Sequence, residues 1–194
     1  MSHGRGGVIR EREAASPDYG VVAKALHWLI VILLIVQYTV AWTMPEIHRG
    51  TQPETLINLH MSLGITVLVA ALIRLIWRLI HPVPLINDNV PLWRQWAARG
   101  SHGLMYLILF ALPLLGWVAA SGRDWAIDFW GANLPRLIAA APQLAGAIGD
   151  YHTLLSYILL GIIGLHLLAA LYHHFWLQDR VLLRMLPGRS ELGR

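Results

Sequence analysis

The 194-residue chain contains no cysteine and little charge: 13% of its residues are Asp, Glu, Lys or Arg. Without cysteine there is no disulfide, no cysteine-ligated iron–sulfur cluster, no covalently attached c-type haem and no zinc–thiolate site. Any metal would have to be held by the ten histidines or by carboxylates. Low charge combined with 56% apolar residues and a mean hydropathy of +0.53 is too oily for an ordinary soluble domain and predicts a membrane protein. The net charge of +4 does not make a nucleic-acid binder, because the arginines flank apolar spans and no basic face is interleaved with aromatics. Internal repeats and low-complexity tracts are absent as well.

Four stretches are long enough for a bilayer core of about 30 Å, which takes about 20 helical residues. They run over about 22–43, 56–80, 97–121 and 151–176, predicting an all-α four-transmembrane-helix bundle. The first is not a cleavable signal, since its apolar part is long and no A-x-A-like site closes it. Residues 1–18 read as a flexible cytoplasmic tail, 19–187 as the bundle and 188–194 as a second cytoplasmic tail. Twelve of the fifteen Lys and Arg residues fall at the two ends or around the second connection. Only Arg49, Arg123 and Arg136 fall in the other two connections, which predicts that both termini face the cytoplasm. The connection over about 122–150 carries DWAIDFWG and then PRLIAAAPQLAGAIG, for which a short amphipathic helix on the outer surface is expected. The tryptophans suit an interfacial belt.

Histidine is the unusual feature of these spans. HTLLSYILLGIIGLH, residues 152–166, begins and ends on histidine and holds no charge. Fourteen residues at about 100° each return to within about 40° of the same face, with a rise of about 21 Å. His60 and His152 then lie near the outer membrane face and His27 and His102 near the inner one, with His166 deeper in the inner half. Ionisable groups inside a membrane are rare and mark function by default. Paired imidazoles on facing helices at matched depth are what a six-coordinate haem iron needs, one axial nitrogen from each. Gly64, one turn from His60, and Gly116, fourteen residues after His102, would let a flat ring approach a backbone, although small residues also serve plain helix packing. Arg74, fourteen residues after His60, and Arg78 are candidate contacts for a haem propionate or a quinone carbonyl. Snorkelling, topology-setting arginines are the ordinary alternative, more so for Arg78. His173 extends the His152–His166 stripe to the inner surface, where proton exchange, quinone contact or a simple interfacial position are all open.

These residues carry a resemblance. ALHWLIV with His27, NLHMSLGI with His60 and the following LIRLIWRL, GSHGLMYLILFALPLLGW with His102, DYHTLLSYILLGIIGLH, and ALYHHFW before LLRMLPG together resemble the bacterial cytochrome b561 family. The likeness runs from about Tyr19 to Pro187 and is greatest to the superoxide-oxidase-like branch. It implies two b-type haems, one held by His60 and His152 and one by His27 and His166, with these four as the axial iron ligands. Depth alone allows His27 with His102 equally well. With the ligands so assigned, His102 becomes a neighbour of the inner haem or of a quinone, close to Arg74 and His173. The implied activity is electron transfer from superoxide to ubiquinone in the bacterial inner membrane. The alternative is a cytochrome b subunit that links a hydrogenase or other dehydrogenase partner to the quinone pool.

Overall fold

A computed structural model describes residues 19–48, 50–82 and 91–186. Four helices dominate it: α1 Val21–Thr43, α2 Thr55–Ile80, α3 Leu92–Gly122 and α4 Pro142–Phe175. All four are long and apolar enough to cross a membrane. Helices satisfy every backbone hydrogen bond internally, so they are the form apolar stretches of this length take in lipid. Successive helices pack side by side, α1 on α2, α2 on α3 and α3 on α4. Large apolar side chains such as Ile35, Leu72, Leu107, Leu154 and Leu168 stay exposed on the outside of the bundle, where lipid would cover them.

The helices differ from the expected spans at their starts. α3 already begins at Leu92 and α4 at Pro142. Hydropathy marks where side chains stop suiting hydrocarbon, whereas the backbone ladder continues past that edge. LWRQW is therefore helical despite Arg94. No separate amphipathic helix forms in 122–150: PQLAGAIG is the first part of α4, opened by Pro142 in the first turn, where proline's missing N–H costs nothing. The 34 residues of α4 span about 51 Å, so this helix projects well beyond the hydrocarbon.

Between α3 and α4 lies a small hairpin, β1 Ile127–Phe129 paired antiparallel with β2 Ala132–Leu134. Its turn puts Trp130 and Gly131 at positive φ, 51° and 91°, as a two-residue hairpin turn of the primed kind requires. Asp128 Oδ1 accepts the Gly131 N–H at 2.6 Å across it. The hairpin is fastened to α2: Ser62 Oγ donates to Asp128 O at 2.8 Å and Trp130 Nε1 to Thr66 Oγ1 at 3.0 Å. Trp125 Nε1 reaches Thr51 O and Trp117 Nε1 reaches Pro135 O, both at 3.0 Å. These three indoles act as struts of the cap, a role beyond that of an interfacial belt.

Two apolar clusters follow. One lies mid-bundle and joins Ile30, Val67, Ala70, Ala71, Ile108, Leu109, Leu112 and Leu159 from all four helices. The other, Ile57, Ala120, Trp125 and Ile127, sits beneath the hairpin. At the opposite end the chain after α4 turns back over α1, where Trp28 Nε1 donates to Met185 O at 2.8 Å.

Candidate haem sites

The mid-bundle cluster separates two tiers of histidine. At the hairpin end, His60 of α2 faces His152 of α4, with ring centroids 6.0 Å apart and ring planes 72° apart. Two metal–nitrogen bonds of about 2 Å, plus the half-width of each ring, put the centroids of two axial imidazoles about 6 Å apart. His152 Nδ1 lies 3.0 Å from Leu112 O and donates to it, which leaves the Nε2 lone pair for a metal. The carbonyl used belongs to the residue before Pro113, a proline inside α3 that cannot donate to the ladder.

A cavity of about 620 Å³ surrounds this pair, walled by Leu34, Gln37, Ala41, Gly64, Gly116 and Leu159 among others. It is within the size range of cofactor sites and mostly apolar. Gly116 supplies the close approach: a Cβ there would lie 3.3 Å from His152 Cε1. The amide of Gln37 bonds His60, Nε2 lying 3.1 Å from the carbonyl oxygen and 3.3 Å from the ring Nε2. Next to it Tyr38 Oη donates to Ser156 O at 2.6 Å, clasping α1 to α4. Both Gln37 and Tyr38 escaped the sequence reading. The signal was there, since Gln37 is the sole side-chain amide in α1, flanked by IVILLIV.

The second tier has three imidazoles. His102 of α3 and His166 of α4 have ring centroids 5.3 Å apart and planes 69° apart. His27 of α1 lies in the same neighbourhood as Arg74, His166 and His102. The pairing the resemblance implies, His27 with His166, and the one depth allows, His27 with His102, thus draw on residues that share one neighbourhood. Arg74 reaches across to α1, where Nη1 donates to Ala23 O at 2.7 Å, one turn before His27. Arg78 lies with its guanidinium 6.0 Å from the Tyr106 ring centre. A small cavity of about 50 Å³ at this end is bounded by Tyr19, Arg74, Arg78, His81, His102 and Met185. His173 is half-buried and paired with Asp179, whose other oxygen accepts the Val181 N–H at 3.0 Å.

Of the three basic groups expected on the outer side, Arg49 lies outside the described residues. Arg136 is paired with Asp124. Arg123 lines the large cavity, 5.5 Å over Trp125; burial lowers its pKa and the Asp150 carboxylate raises it back in part.

Among the described residues no three His, Asp or Glu side chains converge as they would on a bare metal ion. Facing imidazoles beside an apolar cavity and a side-chain-free glycine fit a flat macrocycle with two axial positions instead. A family model described as prokaryotic cytochrome b561 matches residues 18–188. The chain belongs to that family. It is similar to a probable superoxide oxidase of Yersinia pestis, 34% identical over 175 residues, covering 88% of this chain and 97% of that protein. It is 31% identical over 176 residues to cytochrome b561 homolog 2 of Escherichia coli, covering 89% and 93% of the two chains. A cytochrome b562 of Cereibacter sphaeroides is 29% identical over 179 residues, covering 89% and 98%. The protein is therefore a bacterial integral membrane cytochrome of the electron-transfer class, and haem b is the cofactor its family implies.

Proposed function

We propose that this chain is a dihaem cytochrome of the bacterial inner membrane that takes single electrons from superoxide and delivers them to ubiquinone. The observation that carries the reading is the presence of two imidazole tiers separated by an apolar layer, joined to the likeness to a probable superoxide oxidase. Haem b, when bound, supplies reversible one-electron chemistry at its iron. His60 and His152 hold the group at the hairpin end, and His27 and His166 hold the other, with His102 beside them. Leu112 O fixes the tautomer of His152, and the Arg74 bond to Ala23 O steadies the turn that carries His27.

The reaction balances as two superoxide anions giving two dioxygen molecules, with two electrons and two protons converting the quinone to its quinol. An anion crosses hydrocarbon poorly, so superoxide is taken at the face where it arrives. The lysine and arginine distribution supports cytoplasmic termini and a periplasmic hairpin, which makes Arg123 the cation lining the outer cavity, opposed there by Glu46 and Asp150. Quinone enters laterally at the other end, where Arg74, Arg78 and His102 offer hydrogen-bond donors to its carbonyls. The His173–Asp179 pair is suited to exchanging the protons.

The test is the purified chain alone in oriented proteoliposomes containing ubiquinone, with superoxide generated on one side. Quinone reduction should be faster from the hairpin side, and that rate should fall with salt and in Arg123→Gln. Equal rates from both sides would defeat the sidedness. No quinone reduction by superoxide, with reduction restored by a hydrogenase or other dehydrogenase, would replace this reading with that of an electron-transfer subunit.

A further inference from the structure

The two imidazoles at the hairpin end are not equally supported. His152 has its Nδ1–H engaged by Leu112 O. His60 Nδ1 is buried and has no partner. Gln37, which touches His60 through its Nε2, has a buried Oε1 that also lacks a partner. An unmet donor and an unmet acceptor thus sit on two residues already in contact, in a setting where buried polar groups are normally satisfied.

We propose that Gln37 is the positioning residue for His60: its side-chain oxygen accepts the Nδ1–H once Nε2 is engaged by iron, and thereby sets the potential of that centre. The inference rests on His60 being an axial ligand. Its logic is the competition at Nε2. The Gln37 N–H now faces the same lone pair that a metal would take. Once that lone pair is occupied, the imidazole proton resides on Nδ1 and needs an acceptor, as ligand histidines almost always have. The amide keeps the His60 carbonyl as an anchor at 3.1 Å and has its oxygen left over. Two neighbours give it room and footing. Gly64, one turn on from His60, has no side chain, and a Cβ there would already touch Gln37 Nε2 at 3.4 Å. Tyr38, the next residue, pins this part of α1 to Ser156 O.

An acceptor on the distal N–H makes the imidazole a better electron donor, which favours the ferric form and lowers the potential. Loss of such a partner typically weakens metal binding about 10–100-fold. If a tenfold loss falls on the ferric form alone, the potential rises by about 59 mV.

The experiment is an optical redox titration of the full chain in detergent, with haem counted per chain, for wild type, Gln37→Leu, Gln37→Glu and His60→Ala. Gln37→Leu should keep both haems and raise one potential by about 59 mV per tenfold, leaving the other in place. Gln37→Glu retains the acceptor and should give a potential at or below that of wild type. Both haems bound with neither potential moved in Gln37→Leu would overturn the proposal. Should Gln37→Leu lose a haem, Gln37→Glu decides, and a potential above wild type overturns the proposal. His60→Ala separates the two levels. Two haems retained there would refute the ligand reading itself, whereas one haem lost there, with potentials unmoved in Gln37→Leu, would refute only the role of Gln37.

Discussion

Substituting Gly116 by leucine should empty one haem site while leaving the bundle folded. A Cβ at this position would lie 3.3 Å from His152 Cε1 and 3.5 Å from Nδ1. Alanine therefore asks the imidazole to give by a few tenths of an ångström. A helix interior prefers alanine to glycine by about 1 kcal/mol, so the two effects are of similar size and Gly116→Ala should bind close to normally. Leucine adds three more carbons at the same place. Overpacking of that kind costs about 1–3 kcal/mol. Displacing His152 also breaks its hydrogen bond to Leu112 O, and loss of a ligand's supporting partner costs about 10–100-fold in affinity, or about 1.4–2.8 kcal/mol. Together these amount to about 2–6 kcal/mol, or roughly two to four orders of magnitude in haem affinity. Pyridine haemochrome analysis per chain, with circular dichroism as the check on folding, reads this directly. Gly116→Leu should fall from two haems to one at unchanged helicity, and the missing haem should be the one lost in His152→Ala. A full complement in Gly116→Leu would show that His152 is not a ligand on this face.

The remaining predictions concern pairing and register. His60→Ala and His152→Ala should remove one and the same haem, seen as the same missing component in reduced-minus-oxidised spectra, while His27→Ala and His166→Ala remove the other. If His102→Ala abolishes the second haem and His166→Ala spares it, the equal-depth pairing of His27 with His102 is the correct one. Inserting one alanine between Leu159 and Leu160 turns His166 by about 100° relative to His152, so the variant should hold at most one haem; two haems in the folded variant would refute the shared-face argument.

What the sequence made legible was what depends on a single helix. Four apolar runs specify four spans, and the period of each helix places His152 with His166 and His60 with Arg74 on common faces. Relations between helices were harder. Depth puts His27 and His102 near one level and His166 somewhat deeper, but which rings face each other depends on how α1, α3 and α4 rotate about their axes, and no single-helix periodicity encodes that. The structure turns His102 towards His166 and brings Arg74 to α1. α4 starts earlier than the apolar run does because hydropathy reports the membrane edge, not the end of the hydrogen-bond ladder. The hairpin is hard to read from sequence because its strands are three residues each, too short for an alternating pattern, and depend on Ser62, Thr66 and Trp117 from elsewhere in the chain. Gln37 stands out in sequence as a lone amide in an apolar run, but its role is defined only by its partner His60 on α2.

One interval orders the whole interior. Fourteen residues fall just short of four turns, so residues that far apart share a face and differ in height by about 21 Å. Each helix uses the step once: His27 with Ala41, His60 with Arg74, His102 with Gly116 and His152 with His166. Ala41, His60, Gly116 and His152 all line the large cavity at the hairpin end. Their counterparts His27, Arg74, His102 and His166 gather at the other end, linked by ring contact or electrostatics. At the hairpin end the step delivers two imidazoles and two small residues, which is why that end opens into a cavity beside an imidazole pair. At the other end it delivers three imidazoles and a guanidinium, which is why that end offers donors to an oxygen-bearing ligand. The layer between them is built from the apolar side chains of Ile30, Val67, Ala71, Ile108 and Leu159. A charge placed there would lie in a low-dielectric medium without a partner, which costs far more than the same charge in either tier. The fold thus sets two histidine tiers about 21 Å apart along the helix axes, with an apolar layer between them.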